Sequence, residues 1–150
     1  MSLETTINEQ LKSAMLAKDE KSLRSLRAIK AAILLAKTSE GAGGEVKPEE
    51  EIRLLQKLVK QRKDSLDIFR QQKREDLAIK EEEEIEVIEK FLPRQLSAEE
   101  IGEKVGHIIR ELGASSPSDL GRVMGVASKQ LAGKADGKAI SAIVKELLAK

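Results

Sequence analysis

The chain has 150 residues, and its 27 Lys and Arg residues nearly balance its 26 Asp and Glu residues, which leaves a net charge of +1 with histidine neutral. Charged residues make up 35% and hydrophobic residues 40%, a composition typical of one or two globular domains with a very polar surface. This balance excludes a polybasic tail protein. The sequence has no Cys, Trp or Tyr, so disulfides, thiolate zinc sites and cysteine nucleophiles are excluded.

The longest apolar run covers only the six residues 31–36, whereas a membrane-spanning helix needs about 20. The first residues have neither a basic start nor an apolar stretch of signal-peptide length. We therefore expect a cytoplasmic protein that does not associate with membranes.

Apolar residues recur at spacings of three and four, and the alternation typical of strands is missing, so the sequence predicts an all-α protein. Ser2 is the predicted N-cap of a first helix that runs to about Ala17. Asp19 opens a second helix, which ends at the glycine-rich loop Gly41–Gly44. The predicted buried stripes of these helices are Leu3, Ile7, Leu11 and Met15, then Leu23, Leu26, Ile29 and Ile33.

Charge is distributed unevenly over the next two predicted helices, which begin at Pro48 and near Arg74, the second ending at Phe91. Residues 53–74 carry 8 basic and 2 acidic side chains, whereas residues 75–89 carry 8 acidic and 1 basic. This pattern predicts an antiparallel hairpin in which facing opposite charges set the register.

A domain boundary is predicted at Leu92-Pro93, because proline disfavours helical geometry in the preceding residue and cannot continue the helix. Residues 1–92 have a net charge of −1 and residues 93–150 of +2. We predict a multihelical all-α fold with an antiparallel helical domain of four helices in residues 1–92 and a small three-helix bundle in residues 93–150. The three later helices are predicted from Ser97, with a capping box to Glu100, to Gly113, from Ser116 to about Leu131, and from Asp136 onward.

Residues suited to catalysis or metal binding are scarce. His107, the only histidine, is four residues from both Glu103 and Glu111 but lacks the second histidine of a zinc motif, so it is interpreted as a solvated side chain with helix-pair partners. The run 81–84 of four glutamates has no Glu-x-x-His pair. We predict no metal site, no cofactor and no catalytic residue, and whether the chain is an enzyme stays uncertain.

Arg62 lies on the apolar face of the third predicted helix, between Val59 and Leu66. Charges are seldom fully buried without a partner, so this position indicates either a structural ion pair or a ligand contact. A basic strip with Arg24, Arg27 and Arg62 is the second candidate surface for a polyanion.

Two glycines four residues apart, Gly121 and Gly125, share one face of the sixth predicted helix, although each costs a helix interior roughly 1 kcal/mol relative to alanine. They leave a bare backbone that five cations surround. We call these seven residues the tail patch: Gly121, Gly125, Arg122, Lys129, Lys134, Lys138 and Lys145. Two interpretations are open, tight helix packing at the glycines or a site for the phosphate backbone of folded RNA. With no Trp or Tyr to stack bases, an RNA site would recognise shape rather than sequence.

The sequence contains four short motifs in a fixed order: Lys60–Ser65, Arg74–Ala78 leading to Phe91-Leu92-Pro93, Gly121–Gly125 and Gly133–Gly137. Together they resemble the GatB/YqeY family, whose members are free-standing relatives of the C-terminal tail of the B subunit of glutamine-dependent aspartyl/glutamyl-tRNA amidotransferase. The resemblance covers nearly the whole chain and implies an all-helical two-part fold. The family's amidotransferase tail is associated with tRNA recognition, whereas the amidase and phosphorylation sites lie on parts of that enzyme which this chain lacks.

Three functions follow as hypotheses. The first is a non-catalytic tRNA-binding or accessory module, with tRNA, aminoacyl-tRNA or the amidotransferase machinery as partner. The second is a protein-interaction adaptor that uses the amphipathic hairpin of the third and fourth helices. The third is an enzyme, for which carbon–nitrogen ligase activity with glutamine as amido donor would be inherited from the larger complex. The oligomeric state is not predicted.

Overall fold

The computed structural model describes residues 2–39 and 43–150. In these two ranges all the regular secondary structure is helical, which confirms the predicted all-α class. Residues 1–92 and 93–150 form two compact units, called unit 1 and unit 2 below. The α-helices are α1 Leu3–Ala17, α2 Glu20–Thr38, α3 Pro48–Gln71, α4 Glu75–Glu89, α5 Ala98–Leu112, α6 Leu120–Gln130 and α7 Gly137–Leu148.

The starts of the first three helices follow their predicted signals. The Ser2 hydroxyl accepts a hydrogen bond from the Thr5 N–H, and the Asp19 carboxylate accepts one from the Ser22 N–H. Pro48 occupies the first turn of α3, where its missing N–H costs no hydrogen bond. Within the glycine-rich loop predicted to end α2, Gly41 and Ala42 lie outside the described residues; α2 itself ends at Thr38.

In unit 1, α2 packs against α1 and α4, and α3 packs most extensively against α4. A three-residue connection, in which Lys73 adopts a left-handed conformation (φ 60°), turns α3 into α4 and makes the pair an antiparallel hairpin. The predicted hairpin is therefore confirmed. The largest fully buried side chains of the unit are Ile7, Leu26, Ile29, Leu55 and Ile88.

Two sequence predictions for unit 1 are wrong in detail. Met15 was placed on the buried stripe of α1, yet it is 61% exposed, because Ala14, seven residues after Ile7, takes the buried position instead. The helix α4 ends at Glu89 rather than at Phe91. The last three residues before Pro93 donate their N–H groups to carbonyls three residues back, which tightens the chain into a final turn.

Unit 2 packs α5, α6 and α7 around their own aliphatic core. The predicted capping box is present: the Glu100 N–H donates to the Ser97 hydroxyl at 3.2 Å, and the Ser97 N–H donates to the Glu100 carboxylate at 3.1 Å. Gly113 ends α5 in a left-handed conformation (φ 65°), as predicted. The buried residues of this core are Ile101, Val105, Ile108, Val123, Ala127, Leu131, Ala135, Ile140, Val144 and Leu148.

The sixth predicted helix begins differently from the expectation. Pro117–Asp119 forms a 3₁₀ turn, and the α-helical pattern begins only at Leu120. The Asp119 carboxylate accepts hydrogen bonds from the N–H groups of Ser115 and Ser116 at 3.0 and 3.3 Å. These bonds fold the chain back on itself and favour the tighter turn at this entry point.

Candidate nucleic-acid interface

The glycines of the tail patch lie on the outer face of α6. Gly121 and Gly125 are exposed, whereas Val123 and Ala127 on the opposite face are buried. A Cβ atom added at either glycine would meet no atom within 4 Å apart from the helix itself and the adjacent residues. Packing inside unit 2 therefore does not require these glycines, and the helix-packing interpretation of their spacing is wrong for this unit.

The five cations of the tail patch are all exposed. Arg122 and Lys129 lie two turns apart on α6, and Lys138 and Lys145 lie two turns apart on α7. Lys134 lies in the short connection between these two helices, which pack against each other. The structure thus brings the five residues onto two neighbouring helices and their connection.

Pairing with carboxylates separates these cations into two groups. The Arg122 guanidinium lies 3.3 Å from the Asp119 carboxylate, and the two side chains are hydrogen-bonded. Within residues 2–39 and 43–150 no carboxylate oxygen lies within 4 Å of the ammonium groups of the other four. Four exposed ammonium groups are therefore available to an external anion: those of Lys129, Lys134, Lys138 and Lys145.

Asp119 was missed by the sequence analysis, although its position three residues before Arg122 on the same helical turn was a usable signal. Its carboxylate caps the 3₁₀ turn and faces Arg122 at the same time. Hydrogen bonds from the backbone N–H groups of Ser115 and Ser116, with a smaller contribution from Arg122, lower the pKa of Asp119 below its ordinary value. Asp119 thus stays ionised at neutral pH and offsets part of the charge that Arg122 contributes.

The connection that carries Lys134 is fixed by the residues that begin unit 2. The Leu96 N–H donates to the Lys134 carbonyl at 2.8 Å, and the Gln95 side-chain amide donates to the Gly133 carbonyl at 2.9 Å. These two bonds hold the backbone of the connection against the segment before α5. Nothing in the local sequence pattern signalled this contact, because the partners are 38 residues apart.

In the second candidate surface, the basic strip with Arg24, Arg27 and Arg62, two of the three cations are paired with glutamates, and only Arg27 is exposed without a carboxylate partner among the described residues. The Arg62 side chain is only 16% exposed, and its Nε lies 3.7 Å from a carboxylate oxygen of Glu84, which is 17% exposed. Its Nη1 donates to the Leu58 carbonyl at 3.0 Å. Arg24 pairs with Glu83 on α4 at 3.1 Å. Of the two interpretations of Arg62, the structure therefore supports the structural ion pair.

His107 is the exposed histidine that the sequence predicted. Its Nε2 lies 3.0 Å from a carboxylate oxygen of Glu111, one turn further along α5. In the part of the chain that the structure describes, no group of three or more His, Cys, Asp or Glu side chains is arranged to hold a metal ion. Over the same residues no helix combines the length and apolar character needed to cross a bilayer.

Comparison with known families identifies the chain. The family model described as Yqey-like protein matches residues 4–148 and so covers both units. The chain belongs to the GatB/YqeY family. The match confirms the resemblance drawn from the motifs, and it extends over α1 and α2, in which none of those motifs lies.

This GatB/YqeY protein is also similar to fungal proteins named "Altered inheritance of mitochondria protein 41, mitochondrial". The relative from Clavispora lusitaniae is 39% identical over 74% of this chain and 65% of its own length. The relative from Lachancea thermotolerans is 35% identical over 75% of this chain and 60% of its own length. That from Kluyveromyces lactis is 34% identical over 89% of this chain and 69% of its own length. The chain thus spans less than two thirds of the length of the first two.

Proposed function

We propose that this GatB/YqeY chain is a non-catalytic tRNA-binding module that contacts the phosphate backbone of folded tRNA through the tail patch. The observation that carries the proposal is the set of four exposed ammonium groups on α6, α7 and their connection that have no carboxylate partner among the described residues. Phosphates are the natural partners of fixed, exposed positive charge. The family's association of the amidotransferase tail with tRNA recognition gives a second, independent reason.

The open glycine face supports close approach of a backbone. Each glycine costs the helix roughly 1 kcal/mol relative to alanine, and packing within unit 2 does not explain the cost. A bare helix surface between cations lets a ribose-phosphate chain come nearer than side chains would allow. This arrangement favours a ligand recognised by its shape.

The first test measures tRNA binding by the full chain as a function of salt. With about five phosphates engaged, by Arg122 and the four lysines of the tail patch, the logarithm of the affinity falls against the logarithm of KCl concentration with a slope between roughly −3.5 and −4.5. Fluorescence anisotropy of labelled tRNA gives this slope. An unstructured single strand of the same length should bind more weakly, because the chain has only two aromatic residues on which bases could stack.

A pair of matched variants assigns the binding to the tail patch. The double substitution Lys138→Ala and Lys145→Ala removes two unpaired ammonium groups of α7, so affinity falls and the slope flattens by about two contacts. The control is Lys57→Ala with Lys60→Ala, which removes two exposed lysines of α3 that have no carboxylate partner among the described residues. Equal losses in both variants, or an unchanged slope in the α7 variant, would show that the tail patch is not the tRNA site.

A further inference from the structure

The helices α1 and α2 form a second surface that the tRNA proposal does not use. Only Lys18 and Asp19 connect them, and Lys37 near the end of α2 pairs with Glu4 near the start of α1, so the two helices are antiparallel. An open groove of about 490 Å³ runs between them. It is lined by Asn8, Leu11, Lys12, Met15, Arg27 and Lys30.

The charge of this α1–α2 groove is of one sign. Three of its six lining residues are cations and none is acidic. In the described ranges no carboxylate lies within 4 Å of the charged groups of Lys12, Arg27 or Lys30. By contrast, Lys21 and Arg24, also on α2, each pair with a glutamate of α4. The cations of α2 that line the groove therefore have no carboxylate partner in the described residues, whereas Lys21 and Arg24 of the same helix are paired with α4.

The groove also exposes apolar surface. Met15, which lines the groove, is 61% exposed, and Leu34, which lies outside the lining one turn after Lys30 on α2, is 46% exposed. Six large hydrophobic side chains in the described residues are strongly exposed, and four of them lie on α1 and α2. Apolar side chains between cations add nothing to the binding of a phosphate backbone, and neither phenylalanine of the chain lies on these helices to stack a base. The groove therefore suits a protein segment better than RNA.

We propose that the α1–α2 groove binds an amphipathic helix of a partner protein that carries Asp or Glu on both sides of an apolar stripe. A helix laid along a groove between two helices inserts apolar residues spaced by three and four. The unbranched Met15 side chain can adapt to such residues, while Lys12, Arg27 and Lys30 face the acidic flanks and steer the encounter. This partner site lies in unit 1 and is distinct from the tail patch of unit 2.

The test uses the full chain labelled with ¹⁵N and two synthetic helical peptides that share one leucine stripe but differ in their flanks, glutamate in one and lysine in the other. The glutamate peptide shifts amide resonances of α1 and α2 and saturates at micromolar to low millimolar concentration, about tenfold more tightly than the lysine peptide. Met15→Gln keeps the size of the side chain and the charge of the groove but weakens binding of the glutamate peptide several-fold.

Charge reversal supplies the matched control. Lys12→Glu with Arg27→Glu lowers the affinity for the glutamate peptide by about tenfold or more. Arg53→Glu with Lys57→Glu makes an equal charge change on exposed residues of α3 and leaves this affinity within about twofold of the parent. Circular dichroism melting verifies that each variant is folded. The proposal is overturned by equal losses in the two double variants, by no binding at about 1 mM peptide, or by shifts outside α1 and α2. It is equally overturned if tRNA, and not the peptide, shifts the groove resonances.

Discussion

Most ion pairs of unit 1 connect different helices, whereas those of unit 2 connect only residues close in sequence. Lys37 on α2 reaches Glu4 on α1, and Arg62 and Lys63 on α3 reach Glu84 and Glu89 on α4. Over residues 93–150, by contrast, the partners are at most six positions apart. They are Arg94 with Glu100, His107 with Glu111, and Arg122 with Asp119.

This difference in ion pairing distinguishes charged side chains that hold helices together from those that can still bind an external ligand. The acidic helix α4 supplies the counter-charge to cations of both α2 and α3, so those that it pairs with, such as Arg24 and Arg62, help to hold the helices together. The helices of unit 2 pack through hydrophobic side chains, and among the described residues no carboxylate oxygen lies within 4 Å of the ammonium group of Lys138 or Lys145. The number of Lys and Arg residues in the sequence therefore overstates the number of unpaired cations in unit 1. In unit 2 the two numbers are closer.

The largest expected effect comes from breaking an ion pair of unit 1 that is shielded from solvent. Glu84→Gln removes the carboxylate that lies within 4 Å of the Arg62 guanidinium, whose Nε is already buried without a hydrogen-bond partner. We expect the free energy of unfolding of unit 1 to fall by about 1–3 kcal/mol, measured by urea denaturation.

The matched control is Glu89→Gln, which breaks the more exposed pair with Lys63 on the same two helices. Exposed pairs contribute between about 0 and 1 kcal/mol, so this variant should be close to the parent. Equal effects of the two substitutions would mean that burial does not set the strength of these pairs and that the charges of α4 do not organise unit 1.

A smaller effect distinguishes two kinds of glycine in unit 2. Gly133 is buried and has a left-handed backbone (φ 79°), so Gly133→Ala destabilises the unit by about 1–2 kcal/mol. Gly125 has helical geometry and open space at its Cβ position, so Gly125→Ala stabilises the unit by about 0.5–1 kcal/mol. Thermal and urea unfolding of the two variants give both values.

Binding measurements on the same variants sharpen this comparison. If the open face of α6 contacts tRNA, Gly125→Ala gains stability and loses affinity, with the salt slope nearly constant because no charge has changed. A loss of stability in Gly125→Ala would instead show that the helix needs this glycine for its own packing.

The smallest effect is the acid titration of a surface ion pair in each unit. Two hydrogen bonds from Arg94, with further bonds from the Ser97 cap, lower the pKa of Glu100 from 4.5 to about 2. Because the pKa is lowered on folding, this group stabilises unit 2 above about pH 4.5 and ceases to do so as pH falls toward 2. Carboxyl NMR should show Glu100 titrating near 2, and Arg94→Gln should move the midpoint toward 4.5.

Glu86 of unit 1 provides the comparison, because its hydrogen bond with Lys21 lowers its pKa as well. Lys21→Gln should raise the pKa of Glu86 and leave that of Glu100 unchanged, since each pair is local to its own unit. If Arg94→Gln left the Glu100 midpoint in place, the Ser97 cap alone would account for the shift.

Much of the fold was predictable because the signals that specify it are local. Caps at Ser2, Asp19 and Ser97 and the charge pattern of the α3–α4 hairpin depend on neighbouring residues or on whole helices, and these predictions are confirmed. Met15 was misplaced because a helix of 3.6 residues per turn moves gradually away from its buried face, and the stripe alone does not show where the neighbouring helix stops covering it.

The candidate site was predictable only as a set of residues. Spacing placed Arg122 and Lys129 on one helix face, but it could not show that Asp119 offsets the charge of Arg122. Nor could it show that the amide of Gln95 fixes the connection bearing Lys134, because that contact joins residues far apart in the chain. The use of the tail patch for tRNA and the cytoplasmic localisation stay predictions.

The exposed thioether of Met15 has a chemical consequence for the surface of α1. Peroxide reaches exposed sulfur atoms first, and oxidation to the sulfoxide turns a flexible apolar side chain into a polar one. Met124 on α6 is partly buried against the core of unit 2, so its sulfur is better protected. Of the two methionines in the described residues, Met15 is therefore the first to be oxidised, and its sulfoxide makes the wall of the α1–α2 groove hydrophilic without altering its charge.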